Sequence, residues 1–586
     1  MNNFVGYLNS LHCADANSNG ALAESQAINP LFAEIQVPHY WCEQIFSYLT
    51  GDKPTFVILS GQAGDGKSTL ALEIIKKIKG IPAESPLDAG LHHCETLLAD
   101  GREIIVVKDL SEWREEEREA FFHEALNDGT RSFLVVSNTG TLLNLFRSNA
   151  SLLGGTEVEI EDKLLDALDS SVGGVAADFG GHCLQFFNLA QMDNVEFAMR
   201  LFEKMVQSTK WSDCSACANS ANCPVYGNIT LIQKYFERIA NRLRLLLFRT
   251  YAYGNRLTMR QIGAMFAYML TGGFSCEDVR ETRAAGRQIA REKAAFYNRL
   301  WGDDGTNTDD RGEQLRAIQI IREQEFNTAV SPSMERDFWR PIKTDSFQLD
   351  IPEFNTLFPR LVKIGRASRE TINGPAARQQ VRRIVFFFYK PQKEDEKAKF
   401  RQFQITFLNS PMLLNYDEWR RAPKAFREKE VRESIFRVLQ EQFCGITPPD
   451  GPISNWELYI TLNRYDRDIL QSAQIVLTHF KFTDKFRSVM QDRELLLAGQ
   501  EGFNTKQISL PITLPFLDYI VAKKNGELGR GLQLSYRDRL QNLMADIIDK
   551  TASEDSDALL ILKRGANGQL STMKIRKGSE NLEVTQ

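Results

Sequence analysis

The segment that most constrains this chain is a glycine-rich run that matches G-x-x-x-x-G-K-[ST] in full, Gly61-Gln62-Ala63-Gly64-Asp65-Gly66-Lys67-Ser68. An apolar, β-rich run precedes it at 55–60, and a helical stretch follows at 68–79. Glycines let backbone N–H groups curl around phosphates without a Cβ clash, and the helix N-terminus adds free donors. The pattern therefore predicts a nucleotide site formed by Gly61, Gly64, Asp65, Gly66, Lys67, Ser68 and Thr69.

The context of this segment is a series of alternating strands and helices. Short apolar runs at 104–107, 133–136 and 184–187 read as buried strands, with helical stretches at 113–126 and 142–147 between them. Strands that alternate with helices favour a largely parallel sheet covered on both faces. The sequence thus predicts an α/β P-loop NTPase domain, AAA+- or STAND-like.

Such a site needs Lys67 to reach the β- and γ-phosphates and the Ser68 hydroxyl to bind Mg²⁺. It also needs a carboxylate at the end of a neighbouring strand, and Asp109 follows the run 104–107. Glu112 could polarise the attacking water, or it could simply open the next helix. The spacing departs from the adjacent Asp-Glu pair of most AAA+ ATPases and is closer to the spaced acidic motif of STAND-type NTPases.

Polar and basic residues further along supply more candidates. Asn138 follows the run 133–136, at the position where AAA+-like ATPases carry the polar residue called sensor 1, although Asn-Thr-Gly is also a good turn. Thr139 is a weaker candidate for the same role. Arg147 and Arg260 are candidates for a phosphate-sensing arginine or for structural roles. The sequence has no NKxD motif and no LSGGQ-like motif, which favours ATP over GTP and disfavours an ABC protein.

Three of the nine cysteines form a cluster with the spacing C-x₂-C-x₅-C: Cys214, Cys217 and Cys223. This spacing predicts a zinc site that staples a helical domain, and a tetrahedral site needs a fourth ligand. Cys276 is the first choice for that ligand, ahead of Cys183 or His182. An iron–sulfur cluster is a competing interpretation of the same spacing.

With 586 residues, the chain is long enough for several domains. We predict a P-loop ATPase domain at 1–195, a helical domain with the cysteine segment at 196–300, and an α+β region at 313–586, with a polar loop at 302–310 as the boundary. A long helix is expected at 232–251. Further strands are expected at 383–389, 402–408, 457–462 and 474–480, and a terminal hairpin at 559–563 and 570–575.

The net charge of −5 excludes a uniformly basic DNA-coating protein. Residues 361–440, however, carry 18 Lys and Arg against 9 Asp and Glu, so this stretch either contacts DNA, for example through Arg382 and Arg383, or is a solvated face. The basic residues of the terminal hairpin are another candidate contact. No membrane-spanning run or secretory signal is evident, and few cysteines in an odd number favour a reduced, cytoplasmic protein.

Several of these motifs occur together in an ordered set: GQAGDGKST, IIVVKDLSE, SNTG, W-x₂-C-x₂-C-x₅-C-P, LTMRQ and TGGFSCED. The set resembles the DptF (also DndF) family, subunits of the bacterial DNA phosphorothioation-dependent restriction system, over roughly residues 55–280. The resemblance implies an ATPase working with the G and H subunits of that system against DNA that lacks the modification. It implies ATP and Mg²⁺ at Lys67, Ser68 and Asp109, with Glu112 as base and Asn138 as sensor 1.

Two other functions fit the same motifs. One is a STAND-type signalling switch, in which ATP binding drives oligomerisation and slow hydrolysis resets it. The other is a DNA-repair or replication ATPase held together by an iron–sulfur cluster.

Overall fold

A computed structural model describes residues 2–12, 28–87, 92–169, 173–289, 291–304, 308–327, 375–445, 453, 456–462, 473–491, 493–500, 508–527, 531–551, 558–564, 570–578 and 581–585. The chain divides into two compact units, Met1–Leu408 and Asn409–Gln586. The first unit takes in the predicted ATPase and helical ranges and the start of the third range. No helix among the described residues is long and apolar enough to cross a bilayer.

The first unit contains a six-stranded sheet with the order β2-β3-β4-β1-β6-β5. The inner strands β3, β4, β1 and β6 run parallel, and β2 and β5 flank them in antiparallel fashion. The strands are Phe56–Ser60 (β1), Cys94–Ala99 (β2), Arg102–Val107 (β3), Ser132–Val136 (β4), Val175–Phe179 (β5) and His182–Asn188 (β6).

The four strands expected from apolar runs in this unit are confirmed as the parallel core of the sheet. β1 and β4 are buried along their whole length, as strands covered on both faces must be, and this burial explains their continuous apolar sequence. The edge strands β2 and β5 were not predicted. Each of these two strands has only one buried residue, and a polar residue interrupts the sequence of each.

Helices cover both faces of the sheet. One face packs against Phe122, Phe146 and Leu164, and the other against Ile45 and Ile74. The helices on the two faces of the sheet are Cys42–Thr50 (α3), Lys67–Ile78 (α4), Glu115–Asn127 (α5), Thr139–Ser148 (α6) and Glu157–Asp169 (α7), whereas Asn3–His12 (α1) and Phe32–Ile35 (α2) pack against the helical part of the unit.

The rest of the first unit is helical, as predicted for 196–300. The helix expected at 232–251 is interrupted at Tyr235 and forms the separate helices α10 and α11. The helices are Val195–Gln207 (α8), Ser212–Ser215 (α9), Pro224–Lys234 (α10), Phe236–Ala252 (α11), Met259–Thr271 (α12), Cys276–Ala284 (α13), Phe296–Arg299 (α14), Asp310–Gln314 (α15), Arg316–Glu323 (α16), Pro375–Phe388 (α17) and Glu394–Phe407 (α18).

The strands predicted at 383–389 and 402–408 are wrong, because these residues lie in α17 and α18. Their aromatic residues pack at helical spacing, and the rings of Phe386 and Phe407 stack with centroids 4.1 Å apart. The end of α17 is buried on all sides, and a short apolar run of that kind does not distinguish a helix from a strand.

One residue proposed for DNA contact is also placed inside the protein. Arg383 is 2% exposed, forms two 2.8 Å hydrogen bonds to the carboxylate of Asp303, and lies over the ring of Trp301. Asp303 belongs to the polar stretch 302–310, whose described residues, 302–304 and 308–310, lie within the first unit. A buried, ion-paired guanidinium is not available to a DNA phosphate.

The second unit is α+β, with antiparallel sheets ordered β14-β13-β12-β8-β7 and β11-β10-β9. The strands predicted at 457–462 and 474–480 and the two paired strands of the terminal hairpin are confirmed, and residues 565–569 between those two strands lie outside the described residues. The elements are Leu413–Arg421 (α19), Glu428–Cys444 (α20), Glu457–Thr461 (β7), Ala473–Lys481 (β8), Phe482–Lys485 (α21), Phe486–Gln491 (β9), Glu494–Gly499 (β10), Ser509–Pro511 (β11), Leu514–Lys524 (α22), Leu534–Thr551 (α23), Ala558–Arg564 (β12), Leu570–Lys577 (β13) and Leu582–Thr585 (β14).

Candidate functional site

The glycine-rich loop, residues 61–66, leaves the carboxyl end of β1 in the middle of the parallel sheet and leads into α4. Gly66 precedes the helix with φ 96° and ψ 12°, a left-handed conformation that glycine adopts without a steric penalty. A Cβ on Gly64 would lie 3.1 Å from both the Cβ of Arg260 and the Oγ1 of Thr258. The loop therefore approaches the helical region closely and presents the first N–H groups of α4, which have no partner within that helix.

Lys67 links this loop to the neighbouring strand end. Its Nζ donates hydrogen bonds to the carbonyl oxygens of Gly61 and Gln62, both at 2.9 Å, and to Oδ1 of Asn138 at 3.0 Å. Burial lowers the pKa of Lys67, and the carboxylates of Asp109 and Asp65 oppose that shift. The ammonium group is therefore positioned by backbone and side-chain oxygens at the carboxyl edge of the sheet.

Asp109 and Asn138 stand at the carboxyl ends of β3 and β4, as the sequence predicts. The Asp109 carboxylate accepts a hydrogen bond from the N–H of Ser111 at 2.9 Å. The N–H of Asn138 donates to the hydroxyl of the same Ser111 at 3.3 Å. Parallel strands bring their carboxyl ends to one edge of the sheet, where ligands bind in open α/β folds.

These residues line a cavity of about 370 Å³, a size suited to a small-molecule ligand. The cavity has three walls: the loop with α4 and the strand ends, helices α8 and α12, and the segment that precedes α3. Its lining includes Ala63, Gly64, Asp65, Gly66, Lys67, Ser68, Thr69, Leu70, Glu73, Lys108, Asp109, Glu112, Asn138, Phe197, Leu201, Met205, Met259, Arg260, Phe32, Ile35, Gln36, Val37 and His39.

Two residues of this cavity carry oxygen donors of the kind that Mg²⁺ prefers. The hydroxyl of Ser68 and the carboxylate of Asp109 belong to the same cavity wall. Carboxylates and other oxygen donors are the groups that Mg²⁺ prefers in proteins. Ser68 and Asp109 are thus the residues that could hold the ion beside a phosphate.

Glu112 also lines the cavity, but basic side chains hold its carboxylate. Its Oε2 lies 3.0 Å from Nδ1 of His93 and 3.7 Å from Nζ of Lys108, and its side chain is 45% exposed. Thr139, the weaker candidate for a sensor, places its hydroxyl 3.2 Å from that of Ser60 and is not part of the cavity wall. Of these polar candidates, Asp109 and Asn138 are the ones that the structure places beside Lys67.

Of the two candidate arginines, Arg260 lines the cavity and Arg147 does not. Arg260 lines the cavity, and its backbone N–H donates to the carbonyl of Gly64 at 3.1 Å. Arg147, on α6, lies instead 3.4 Å from Glu161 and 3.8 Å from Glu157 on α7. Only Arg260 is therefore placed to meet a ligand in this cavity.

Arg256 is a site residue that the sequence did not indicate. Its Nη1 lies 2.8 Å from Oδ1 of Asp65, whose side chain is fully buried in the loop. Arg256 also donates to the carbonyl of Leu189 at 2.6 Å and to that of Met192 at 3.3 Å. Asp65 in turn accepts from the N–H of Gln62 at 2.8 Å. The buried ion pair fastens the glycine-rich loop to the segment before α12.

The cysteine segment, unlike the nucleotide-binding residues, does not form the predicted arrangement among the described residues. Among the described residues, no group of three or more His, Cys, Asp or Glu side chains is arranged to hold a metal ion. Burial raises the pKa of Cys214 to about 11; a hydrogen bond from Asn2 opposes the shift, and Cys276, Cys223 and Cys217 add to it. The other three thiols thus contribute to the raised pKa of Cys214. The zinc site stays a prediction.

Metal analysis of protein made without affinity tags tests that prediction. We expect about one zinc ion per chain, because four thiolates complete a tetrahedral site. Serine at Cys217 or Cys223 should reduce the zinc content, whereas serine at Cys94, on β2, should not. Visible absorbance with stoichiometric iron would favour the iron–sulfur interpretation, and a protein with neither metal would contradict both.

The structure brings together most of the predicted nucleotide-binding residues around one cavity, from Gly64 to Thr69 with Asp109, Glu112 and Asn138. Gly61 does not line the cavity, but its carbonyl oxygen accepts a hydrogen bond from Lys67. Cys183 and His182, the reserve choices for a fourth metal ligand, lie at the start of β6. No protein-family model, curated protein or solved structure matches this chain.

Proposed function

We propose that this chain is a P-loop ATPase that binds ATP with Mg²⁺ and hydrolyses it. The observation that carries the proposal is the meeting of Lys67, Asp109 and Asn138 at one cavity beside the N-terminus of α4. Lys67 begins α4, and Asp109 and Asn138 follow β3 and β4. A lysine, a carboxylate that holds Mg²⁺ and a polar residue that positions water are parts that recur in phosphoryl-transfer sites.

Each residue has a role that follows from its chemistry. The N–H groups of residues 64–69 would donate hydrogen bonds to the phosphate oxygens, and Lys67 would turn from the loop carbonyls toward the β- and γ-phosphates. Ser68 and Asp109 would hold Mg²⁺, which neutralises charge that develops on the phosphates. Asn138 would position water at the γ-phosphate, and Glu112, on the cavity rim, is the candidate to polarise it.

The helical region would move in response to the nucleotide bound at the loop. Arg260 faces the cavity from the first turn of α12, and its N–H is bonded to Gly64 of the loop. A change at the γ-phosphate would therefore reach α12 directly through this residue. Rigid helices that shift against a sheet are a common means of passing such a change to a partner.

The proposal is tested by replacing Asp109 with asparagine. Asparagine keeps an oxygen for the hydrogen bond from Ser111 but removes the charge that would hold Mg²⁺. We expect Mg²⁺-dependent ATP hydrolysis to fall by about a hundredfold, since a metal ion supplies several kcal/mol of charge stabilisation. Phosphate release at saturating ATP measures the effect.

The matched control is Glu103→Gln, an exposed carboxylate on the same strand, β3, outside the cavity. It should hydrolyse ATP at the wild-type rate. Full activity of Asp109→Asn alongside that control would contradict the assignment of Asp109. A wild-type protein that hydrolyses no ATP would contradict the proposed function itself.

We further propose that this ATPase acts in a cytoplasmic, phosphorothioation-dependent DNA restriction complex with its G and H subunits. The ordered motifs between residues 55 and 280 support this setting. DNA contact, direct or through those partners, is part of the proposal, and Arg576 and Lys577 of the terminal hairpin are exposed candidates for it. Co-purification of the G and H subunits with the chain would test the setting.

A further inference from the structure

The cavity continues from the glycine-rich loop along α4 to the segment before α3, where Gln36 forms part of its wall. Gln36 is only 9% exposed, and within the described structure its Oε1 has no hydrogen-bond partner. A buried carbonyl oxygen without a donor is uncommon in folded proteins, because each such group gives up its hydrogen bond to water. This oxygen therefore indicates a ligand that supplies a donor.

The orientation of the Gln36 amide follows from its neighbour Glu73. The Nε2 of Gln36 donates to Oε1 of Glu73 at 3.1 Å, and the N–H of His39 donates to Oε2 of the same carboxylate at 3.0 Å. A carboxylate accepts hydrogen bonds, so the nitrogen of the amide must face Glu73. The oxygen is then the atom of the amide that does not contact Glu73, and it lacks a donor.

The surroundings of Gln36 suit the base of a nucleotide. Ile35, Val37, Phe197 and Met205 give this end of the cavity an apolar lining. A few placed polar groups in an apolar wall are the usual composition of a specific ligand pocket. Gln36 lies between Ile35 and Val37 in the sequence and supplies a polar group to this lining.

The position of Gln36 beside Glu73 of α4 is also consistent with a contact to the base of a nucleotide. Thr69 and Glu73 are four residues apart, so they share one face of the helix, and both line the cavity. Glu73 lies six residues beyond Lys67, or about 9 Å along the axis. A nucleotide whose phosphates occupy the glycine-rich loop would therefore extend its base toward Gln36.

We propose that Gln36 selects adenine: its Oε1 accepts a hydrogen bond from the exocyclic amino group of the base. Adenine carries an N–H₂ donor at this position, whereas guanine carries a carbonyl acceptor. With guanine, the carbonyl oxygen of the base would face Oε1 of Gln36, and since both are acceptors the oxygen of Gln36 would stay unpaired. The inference rests on the proposed function and deepens it, because it names the residue that distinguishes ATP from GTP.

Binding of three diphosphates to the full chain tests the inference: ADP, GDP and purine riboside diphosphate, which has hydrogen in place of the amino group. Calorimetry with Mg²⁺ measures each affinity without hydrolysis. We expect the wild-type protein to bind ADP about tenfold more tightly than the purine analogue, which is the usual effect of one hydrogen bond to a buried group. GDP should bind more weakly still.

Gln36→Met keeps the length of the side chain but removes the acceptor, and it should bind ADP and the purine analogue equally. Gln44→Met is the matched control, because Gln44 bonds to the carbonyl of Gly173 outside the cavity and should leave the preference unchanged. Equal affinities for ADP and the purine analogue in the wild-type protein would overturn the inference, whether or not the variant folds. A preference that survives in Gln36→Met would overturn it as well.

These outcomes are distinct from failure of the proposed function. If the wild-type protein binds none of the three diphosphates, the nucleotide site itself is refuted and the inference falls with it. If it binds all three with the same affinity, the nucleotide site stands and only the role of Gln36 is lost.

Discussion

Replacing Lys67 with alanine should abolish ATP turnover and leave the fold intact. The side chain supplies the cation of the site, and its three hydrogen bonds go to the loop and to Asn138 and not to the core of the sheet. Loss of a single preorganised donor to the reacting group typically costs a hundredfold to a thousandfold in rate. Phosphate release at saturating ATP, together with thermal unfolding, measures both parts of the expectation.

Lys79→Ala is the control for this variant. Lys79 directly follows α4, but its Nζ lies 2.7 Å from Glu95 and outside the cavity. It should retain full activity. Undiminished hydrolysis by purified Lys67→Ala would rule out the glycine-rich loop as the site of ATP turnover.

Replacing Arg256 with alanine should produce the largest loss of stability among the site residues. Asp65 would keep a fully buried carboxylate without its cation, and the carbonyls of Leu189 and Met192 would each lose one donor. Removing one partner of a buried ion pair typically costs about 3–5 kcal/mol. Urea unfolding measures the change, and nucleotide affinity should fall with it because the pair holds the loop.

A double-mutant cycle with Asp65→Asn separates the pair from its surroundings. Once the carboxylate is neutral, loss of Arg256 should cost less, so the two changes together should destabilise less than the sum of the single changes. Arg280→Ala, which removes an exposed pair with Glu277 on α13, should change the unfolding free energy by no more than about 1 kcal/mol. Strict additivity in the Asp65 cycle would show that the ion pair is not the source of the effect.

Much of this site was predictable from the sequence because its residues lie near the parts of the sheet that local sequence determines. The continuous apolar runs of β1, β3, β4 and β6 result from burial on both faces. Asp109 and Asn138 follow two of these runs directly, so predicting the strands also places the side chains at one edge. The glycine positions follow from the shape of the loop itself.

The remainder depends on contacts between distant parts of the chain. Arg256 meets Asp65, and Gln36 meets Glu73, only after the helical region and the segment before α3 pack against the loop. No sequence spacing or motif predicts either of these two contacts. The buried end of α17 shows the same limit in secondary structure, since its apolar run fits a helix or a strand until its packing partner is known.

The contacts of Lys67 bear on the kind of anion that the loop would bind in the proposed function. The ammonium group is already satisfied by two carbonyl oxygens and an amide oxygen, so an incoming phosphate must compete with groups that belong to the protein. A lone inorganic phosphate brings few other interactions to offset that competition. The nucleotide of the proposed function brings a base and a sugar as well, so a loop that holds its own lysine would discriminate against the phosphate ion that is abundant in any cell.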